Sequence, residues 1–208
     1  MKRNAPTILV LLLLAATATA FAVTQHLKLE PSPISQTHVD KVFSPVCRCA
    51  TDAAHIDFSI RHADRLKIWV RTPAGPAVLA DREFPKGMVH VKWDGQDAPD
   101  GTYYAVVRLQ HAQRTIDLPN PIQVDTVKPA IALVSMSKDG AKTLFHYRTS
   151  EPAHALLLVN GERRVRTYST RRRGKFAFAG PITAKTRLVL RARDLAGNLS
   201  PPVKISSL

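Results

Sequence analysis

The sequence predicts an all-β chain: two tandem immunoglobulin-like β-sandwich domains after an N-terminal transmembrane or signal helix. Three observations predict it. From Phe43 onward, apolar residues alternate with polar ones over short runs. Gly, Pro, Asn and Asp break those runs every ten residues or so. One uninterrupted apolar stretch, residues 5–23, stands apart behind Lys2 and Arg3. Period-two alternation with frequent turn signals is the pattern of antiparallel sheets that bury one face, most economically as a sandwich.

The N-terminal stretch is read first because it fixes the compartment. Two cations followed by 19 uncharged, mostly apolar residues form a targeting element. At ~1.5 Å per residue such a helix spans roughly 28 Å, near the ~30 Å of a bilayer core. A retained anchor is the expectation, with Lys2 and Arg3 inside and the remaining residues outside the cell membrane. The small-x-small triplet Ala20-Phe21-Ala22 offers the alternative, secretion after cleavage near Ala22. Residues 1–25 are thus assigned to this element. Residues 26–42, with Pro31 and Pro33 and no clean period, are assigned to an extended stalk, with a first edge strand around Ile34 as the competing reading.

Residues 43–125 form the first expected domain. Ile56, Phe58 and Ile60 alternate with polar neighbours, as do Leu66, Ile68 and Val70, then Val89, Val91 and Trp93, then the run from Tyr103 to Leu109. Turns are expected at Pro73–Pro76, Asp94-Gly95 and Pro99-Asp100-Gly101, with Gly95 and Gly101 supplying positive φ. Trp93 is expected to plug the sandwich and Tyr103 to pack a strand end. Residues 125–129 (Asp-Thr-Val-Lys-Pro) read as a joint. Residues 126–208 follow as a second domain, with strands expected at 130–135, 143–148, 153–159, 165–169, 175–179, 187–193 and 203–206. Asn160-Gly161 between two of these runs is a strong two-residue hairpin signal.

Charge divides the chain at the same joint. Residues 1–127 hold 14 Lys and Arg against 12 Asp and Glu; residues 128–208 hold 16 against 4. A nearly neutral module is followed by a strongly basic one. Outside the cytoplasm the expected partner is an anionic envelope polymer or an acidic protein, together with the membrane met through the N-terminal helix, and not nucleic acid. The densest charges are Arg163, Arg164 and Arg166, then Arg171, Arg172, Arg173 and Lys175. They flank one short strand and are the candidate anion-binding residues. Solvated edge strands guarded by charge are the competing account.

The two cysteines, Cys47 and Cys49, are separated only by Arg48. Export permits oxidation. A local bridge is the leading reading, and it would close too small a ring to stabilise much; free or intermolecular thiols are the alternative.

The stretch Trp93-Asp94-Gly95-Gln96-Asp97-Ala98-Pro99-Asp100-Gly101-Thr102-Tyr103-Tyr104-Ala105-Val106-Val107 resembles the Ig-like domain of the flagellar hook-capping protein, a family that recurs in bacterial surface proteins. The resemblance covers residues 43–125 and implies a fold, with a loop shorter than the family's. Asp194-Leu195-Ala196-Gly197-Asn198-Leu199-Ser200 looks like the Asp-x-Ala-Gly-Asn-x-Ser turn of bacterial Ig-like surface domains. Together these imply a stalk, adhesion or assembly module of a bacterial envelope.

No chemistry-bearing constellation emerges. Asp94, Asp97 and Asp100 are spaced by three with no late Glu, unlike a calcium loop. The histidines at 26, 38, 55, 62, 90, 111, 146 and 154 form neither a His-x-His nor a His-Glu-x-x-His pattern, and no nucleophile elbow or phosphate loop occurs. No catalytic, metal or cofactor residue is assigned. The expectation is a non-catalytic, extracytoplasmic, membrane-anchored structural or interaction protein; the alternatives are a module binding anionic wall polymer or carbohydrate with its basic second domain, and an accessory subunit of a surface assembly.

Overall fold

Alternation becomes pairing in a computed structural model that describes residues 5–29 and 31–206, with side chains at 9–22, 24 and 31–206. The N-terminal run forms α1 (Ala5–Leu29). Leu9 to Leu14 are 54–63 % exposed, so this face of the helix packs into neither core. Thr17, Thr19 and Thr24 donate their hydroxyls to the carbonyls four residues back, the helix-compatible way to satisfy a polar group in an apolar run. Among the described residues no helix is long and apolar enough to cross a membrane. The transmembrane expectation is corrected accordingly. Its physical weakness is the second half of the run, where Ala and Thr replace Leu. Lys2 and Arg3 lie outside the described residues, as does the side chain of His26.

The first sandwich uses β1 (Ile34–Val39), β2 (Val42–Phe43), β3 (Ala54–Ile60), β4 (Asp64–Thr72), β5 (Gly75–Phe84), β6 (Gly87–Trp93), β7 (Gly101–Leu109), β8 (Arg114–Asp117) and β9 (Ile122–Val124). One sheet runs β1-β3-β6; the other runs β2-β9-β7-β4-β5, with β8 on β7. Phe43, Ile56, Phe58, Leu66, Ile68 and Ile122 fill the space between them. Trp93 sits edge-on to Phe43 at 5.4 Å and to Tyr103 at 4.9 Å between ring centroids. The Tyr103 hydroxyl donates to the Pro99 carbonyl at 2.5 Å, a tyrosine-corner arrangement that ties the turn to the core. Among the described residues the one parallel pairing joins β2 to β9 (Val42 opposite Gln123, Phe43 opposite Val124). It is extended by Gln123 N–H to Lys41 O at 2.8 Å and Asp125 N–H to Phe43 O at 3.1 Å.

Two expectations change here. Residues 26–42 are no stalk: the helix runs to Leu29, and β1 and β2 belong to the sandwich, which therefore begins at Ile34. A register shift between Ser35 and His38, with Gln36 at φ 51°, turns both Ile34 and Val39 inward although they are five positions apart. That irregularity erases the period-two signal. Gly101 is not at positive φ. In this turn Gly95 (62°) and Asp97 (63°) are. Gly95 is also needed for space, because a Cβ there would run into the Phe43 ring.

The second sandwich is built from β10 (Ile131–Asp139), β11 (Lys142–Thr149), β12 (Ala153–Val159), β13 (Glu162–Arg166), β14 (Arg173–Phe178), β15 (Leu188–Asp194) and β16 (Val203–Ile205). Its sheets run β10-β11-β14 and β13-β12-β15-β16, the three-plus-four layout of an immunoglobulin-type sandwich. Phe145 stacks on Phe176 at 5.1 Å, and Leu157, Leu188 and Leu190 complete the core. Asn160 and Gly161 both take positive φ (54° and 90°), as the tight hairpin between β12 and β13 requires. The strand expected at 165–169 instead occupies Glu162–Arg166.

Candidate functional site

The basic residues of the second sandwich do not form one cluster; the strands sort them. In the β11–β14 ladder Arg148 lies directly opposite Arg173, and His146 directly opposite Lys175. Like charges facing each other across strands destabilise a sheet. The ion pairs among the described residues leave Arg148, Arg166, Arg171, Arg173 and Lys175 without a carboxylate. These cations line two open cavities that share β14. One, of about 720 Å³, lies on the outer face of the three-stranded sheet between Ala132, His146, Arg148, Arg173 and Lys175. The other, of about 570 Å³, opens at the seam between β13 and β14. It is lined by Arg166, Arg171, Tyr168 and the inward-facing Tyr147 and Phe176. Tyr168 is fully exposed at its rim.

The remaining candidates fall elsewhere. Arg163 and Arg164 are outside both linings, and Arg164 is paired with Glu162 at 2.7 Å. Arg172 turns toward the joint, where its charge acts on Glu151, and its carbonyl accepts from Thr149 N–H at 2.8 Å. Sequence reasoning missed Arg148, which is isolated in the chain and reaches the group only through strand pairing.

A second constellation sits where the sandwiches meet, assembled from motifs far apart in sequence. Asn198, 2 % exposed, is its centre. Its side-chain oxygen accepts from the Ser44 hydroxyl at 2.5 Å. Its amide donates to the Asp125 carbonyl at 2.8 Å and to the Asp194 carboxylate at 2.9 Å. One side chain therefore holds the first sandwich, the linker and the second sandwich together. Beside it the Thr51 hydroxyl donates to the Ala196 carbonyl at 2.7 Å. Cys47 and Cys49 form a disulfide, with Cα atoms 5.3 Å apart. The bridge lies against Gly197, at φ 99°, where a Cβ would run into the Cys49 sulfur and the Thr51 hydroxyl. The turn Asp194–Asn198 is thus a docking element for the disulfide loop.

Asp125, Glu151 and Asp194 bring carboxylate oxygens within 4.8 Å of one another at this joint; these are the residues placed to meet a cation. No local spacing announces them. Asp94 and Asp100 instead bind backbone N–H groups, of Gln96 at 3.1 Å and Thr126 at 2.9 Å. Burial, then the like charges of Asp194 and Asp100, hold the Asp125 carboxyl above the ordinary aspartate range, against the pull of the Val127 N–H. Burial, then Asp125 and Asp194, raise Glu151, with Arg172 opposing. A carboxyl raised in the folded state gives stability that is full below its unfolded pKa and is lost as pH rises through its folded one. Glu151→Gln is therefore expected to raise the thermal midpoint at pH 7 by roughly 1–2 °C, about 0.5 kcal/mol in a coupled unit of this size. The gain should vanish near pH 3, below the ordinary carboxylate range. Melting curves of both chains at the two pH values check this, and an equal gain at both would contradict it.

No protein-family model and no curated protein sequence matches the chain. Solved structures similar to it include the fibronectin(III)-like modules of Clostridium thermocellum CbhA, at 14% identity, covering 81% of this chain and 91% of that one, with a TM-score of 0.44. They also include the BSP domain of a biofilm-associated protein, at 11% identity, covering 84% of this chain and 30% of that one, with a TM-score of 0.31. A central fibronectin-III array of RIM-binding protein matches at 14% identity over 86% and 65%, with a TM-score of 0.29. The immunoglobulin-like fold of this chain rests on its own strand order.

Proposed function

We propose that the chain is a non-catalytic, extracytoplasmic interaction protein of a bacterial envelope. In this reading the first sandwich is a spacer docked rigidly to the second, and the second presents its basic outer face to an anionic partner. The observation that carries it is the Arg148–Arg173 pair, set face to face with His146 and Lys175 beside it and, among the described residues, no carboxylate paired with any of these cations. A fold retains such a repulsive arrangement at a cost, which a bound anion offsets. Two guanidinium forks side by side suit bidentate contact with carboxylates or phosphates, and the bare ring of Tyr168 offers a flat apolar surface nearby. Residues 5–23 supply the export route, with cleavage near Ala22 in keeping with the exposed side chains of Leu9 and Leu11 to Leu14, which pack on neither core. The hook-capping resemblance of residues 93–107 fits the spacer role and the alternative of an accessory subunit in a surface assembly.

The test uses polygalacturonate as the anionic polymer. Binding is expected to weaken about tenfold between 50 and 200 mM salt, and a further tenfold or more in the Arg148→Ala, Arg173→Ala double variant. The same variant, with no polymer present, should be more stable than the parent by about 0.2–1 kcal/mol, because a like-charge pair is relieved. Salt-insensitive binding, or a double variant that binds like the parent, would remove the basic face as the contact.

A further inference from the structure

The exposed edge of β14 adds something a charged surface alone does not provide. We infer that this edge receives an extended acidic polypeptide as an additional antiparallel or parallel strand, with acidic side chains on the outer face and apolar ones in the seam between β13 and β14. The inference rests on the anion-binding reading above and names the partner class for the same surface.

The hydrogen-bond phase of the ladder supplies the first argument. Thr149 N–H donates to Arg172 O, one step beyond the last pair of the β11–β14 register, Arg148 opposite Arg173, so the two residues continue its alignment. Antiparallel pairs alternate between bonded and non-bonded. Residues 172, 174, 176 and 178 therefore spend their backbone groups on β11. Arg173, Lys175 and Ala177 turn theirs away from the sheet, where β14 has no further strand. This is the unpaired row that accepts an added strand.

The side chains supply the second. Arg173, Lys175 and Ala177 are exposed, whereas Phe176 is buried and Gly174 sits over the Tyr147 hydroxyl. An incoming strand would place alternate side chains beside Arg173 and Lys175 on one face. The others would enter the open seam of about 570 Å³, beside Phe176 and Val165. The recognised pattern is thus acidic–apolar alternation. A second copy of this chain is disfavoured as occupant, because its own edge carries the same cations and the chain's net charge is +14. A polysaccharide could meet the cations, but it lacks the regular peptide N–H and C=O repeat that matches the row at Arg173, Lys175 and Ala177.

The experiment takes the full-length protein with a seven-residue peptide alternating Glu and Val, its Lys-for-Glu counterpart, and polygalacturonate. The Glu peptide should slow amide hydrogen exchange at Arg173, Lys175 and Ala177 at least tenfold, and the Lys peptide should not. Ala177→Pro removes an outward N–H without touching the native ladder or any charge, at an edge position where proline is tolerated. It should weaken the Glu peptide at least tenfold and leave polygalacturonate binding within twofold, with an unchanged dispersed amide spectrum. If polygalacturonate binds but the three amides stay unprotected, strand addition is overturned and the anion-binding face stands. If neither probe binds, both readings fall. Exchange in the unaltered protein decides the matter even where the proline variant does not fold.

Discussion

Asn198→Ala should uncouple the two sandwiches. The substitution deletes a side chain that bonds Ser44, the Asp125 carbonyl and the Asp194 carboxylate at once. Ser44 is fully buried and Asp194 is 5 % exposed, so water does not readily replace the lost partners. An unsatisfied buried polar group costs about 1–3 kcal/mol, so a loss of roughly 3 kcal/mol is expected at the joint. Calorimetry should then show two separate transitions where the parent unfolds its coupled modules together. Relaxation measurements should show the modules tumbling with distinct correlation times. Asn198→Asp is a sharper control: it keeps the shape but brings a further carboxylate beside Asp194 and Asp125, and should uncouple the joint most at neutral pH. A parent and variant with superimposable unfolding and tumbling would show that the joint is held by other contacts.

Trp93→Ala should cost the first sandwich about 3–5 kcal/mol, a large share of the 5–15 kcal/mol that holds a typical domain. Trp93 is 3 % exposed and bridges Phe43 on β2 to Tyr103 on β7. Its loss opens a cavity between the sheets and loosens the Tyr103–Pro99 corner. Fluorescence of the remaining Trp69, on β4, follows the unfolding by denaturant. Trp93→Phe should recover part of the loss by restoring one aromatic edge contact. A variant with an unaltered denaturation midpoint would mean that the ring does not fill the core.

Legibility of the sequence followed locality. Strands such as Ala54–Ile60, whose inward residues are Ile56, Phe58 and Ile60, announce themselves because each successive residue switches face. The Asn160-Gly161 hairpin is written in two adjacent residues whose positive φ few other pairs adopt. β1 was legible only as a competing edge strand around Ile34, because a bulge at Gln36 breaks the alternation that marks a strand. The basic surface was half legible. Arg171, Arg173 and Lys175 are close in sequence, but Arg148 enters only through the β11–β14 register, and Arg172 leaves toward the joint. The joint itself was illegible. Its bonds connect residues 145 and 154 positions apart, so the disulfide loop and the Asp194–Asn198 turn look like unrelated local motifs until the fold brings them together.

The parallel pairing of β2 with β9 has a mechanical meaning. The chain enters the first sandwich through β1, held antiparallel on β3, and leaves it just after β9; once β1 is drawn away, tension along the polypeptide pulls β2 and β9 in opposite directions along their length. The bonds Gln123 N–H to Lys41 O and Asp125 N–H to Phe43 O lie across that direction. They are loaded together in shear instead of opening one by one. Asp125 also receives Asn198 through its carbonyl, so the same short segment passes load to the second sandwich. In the proposed spacer role, β1 would yield first to a pull while the β2–β9 pair kept the rest of the first sandwich closed.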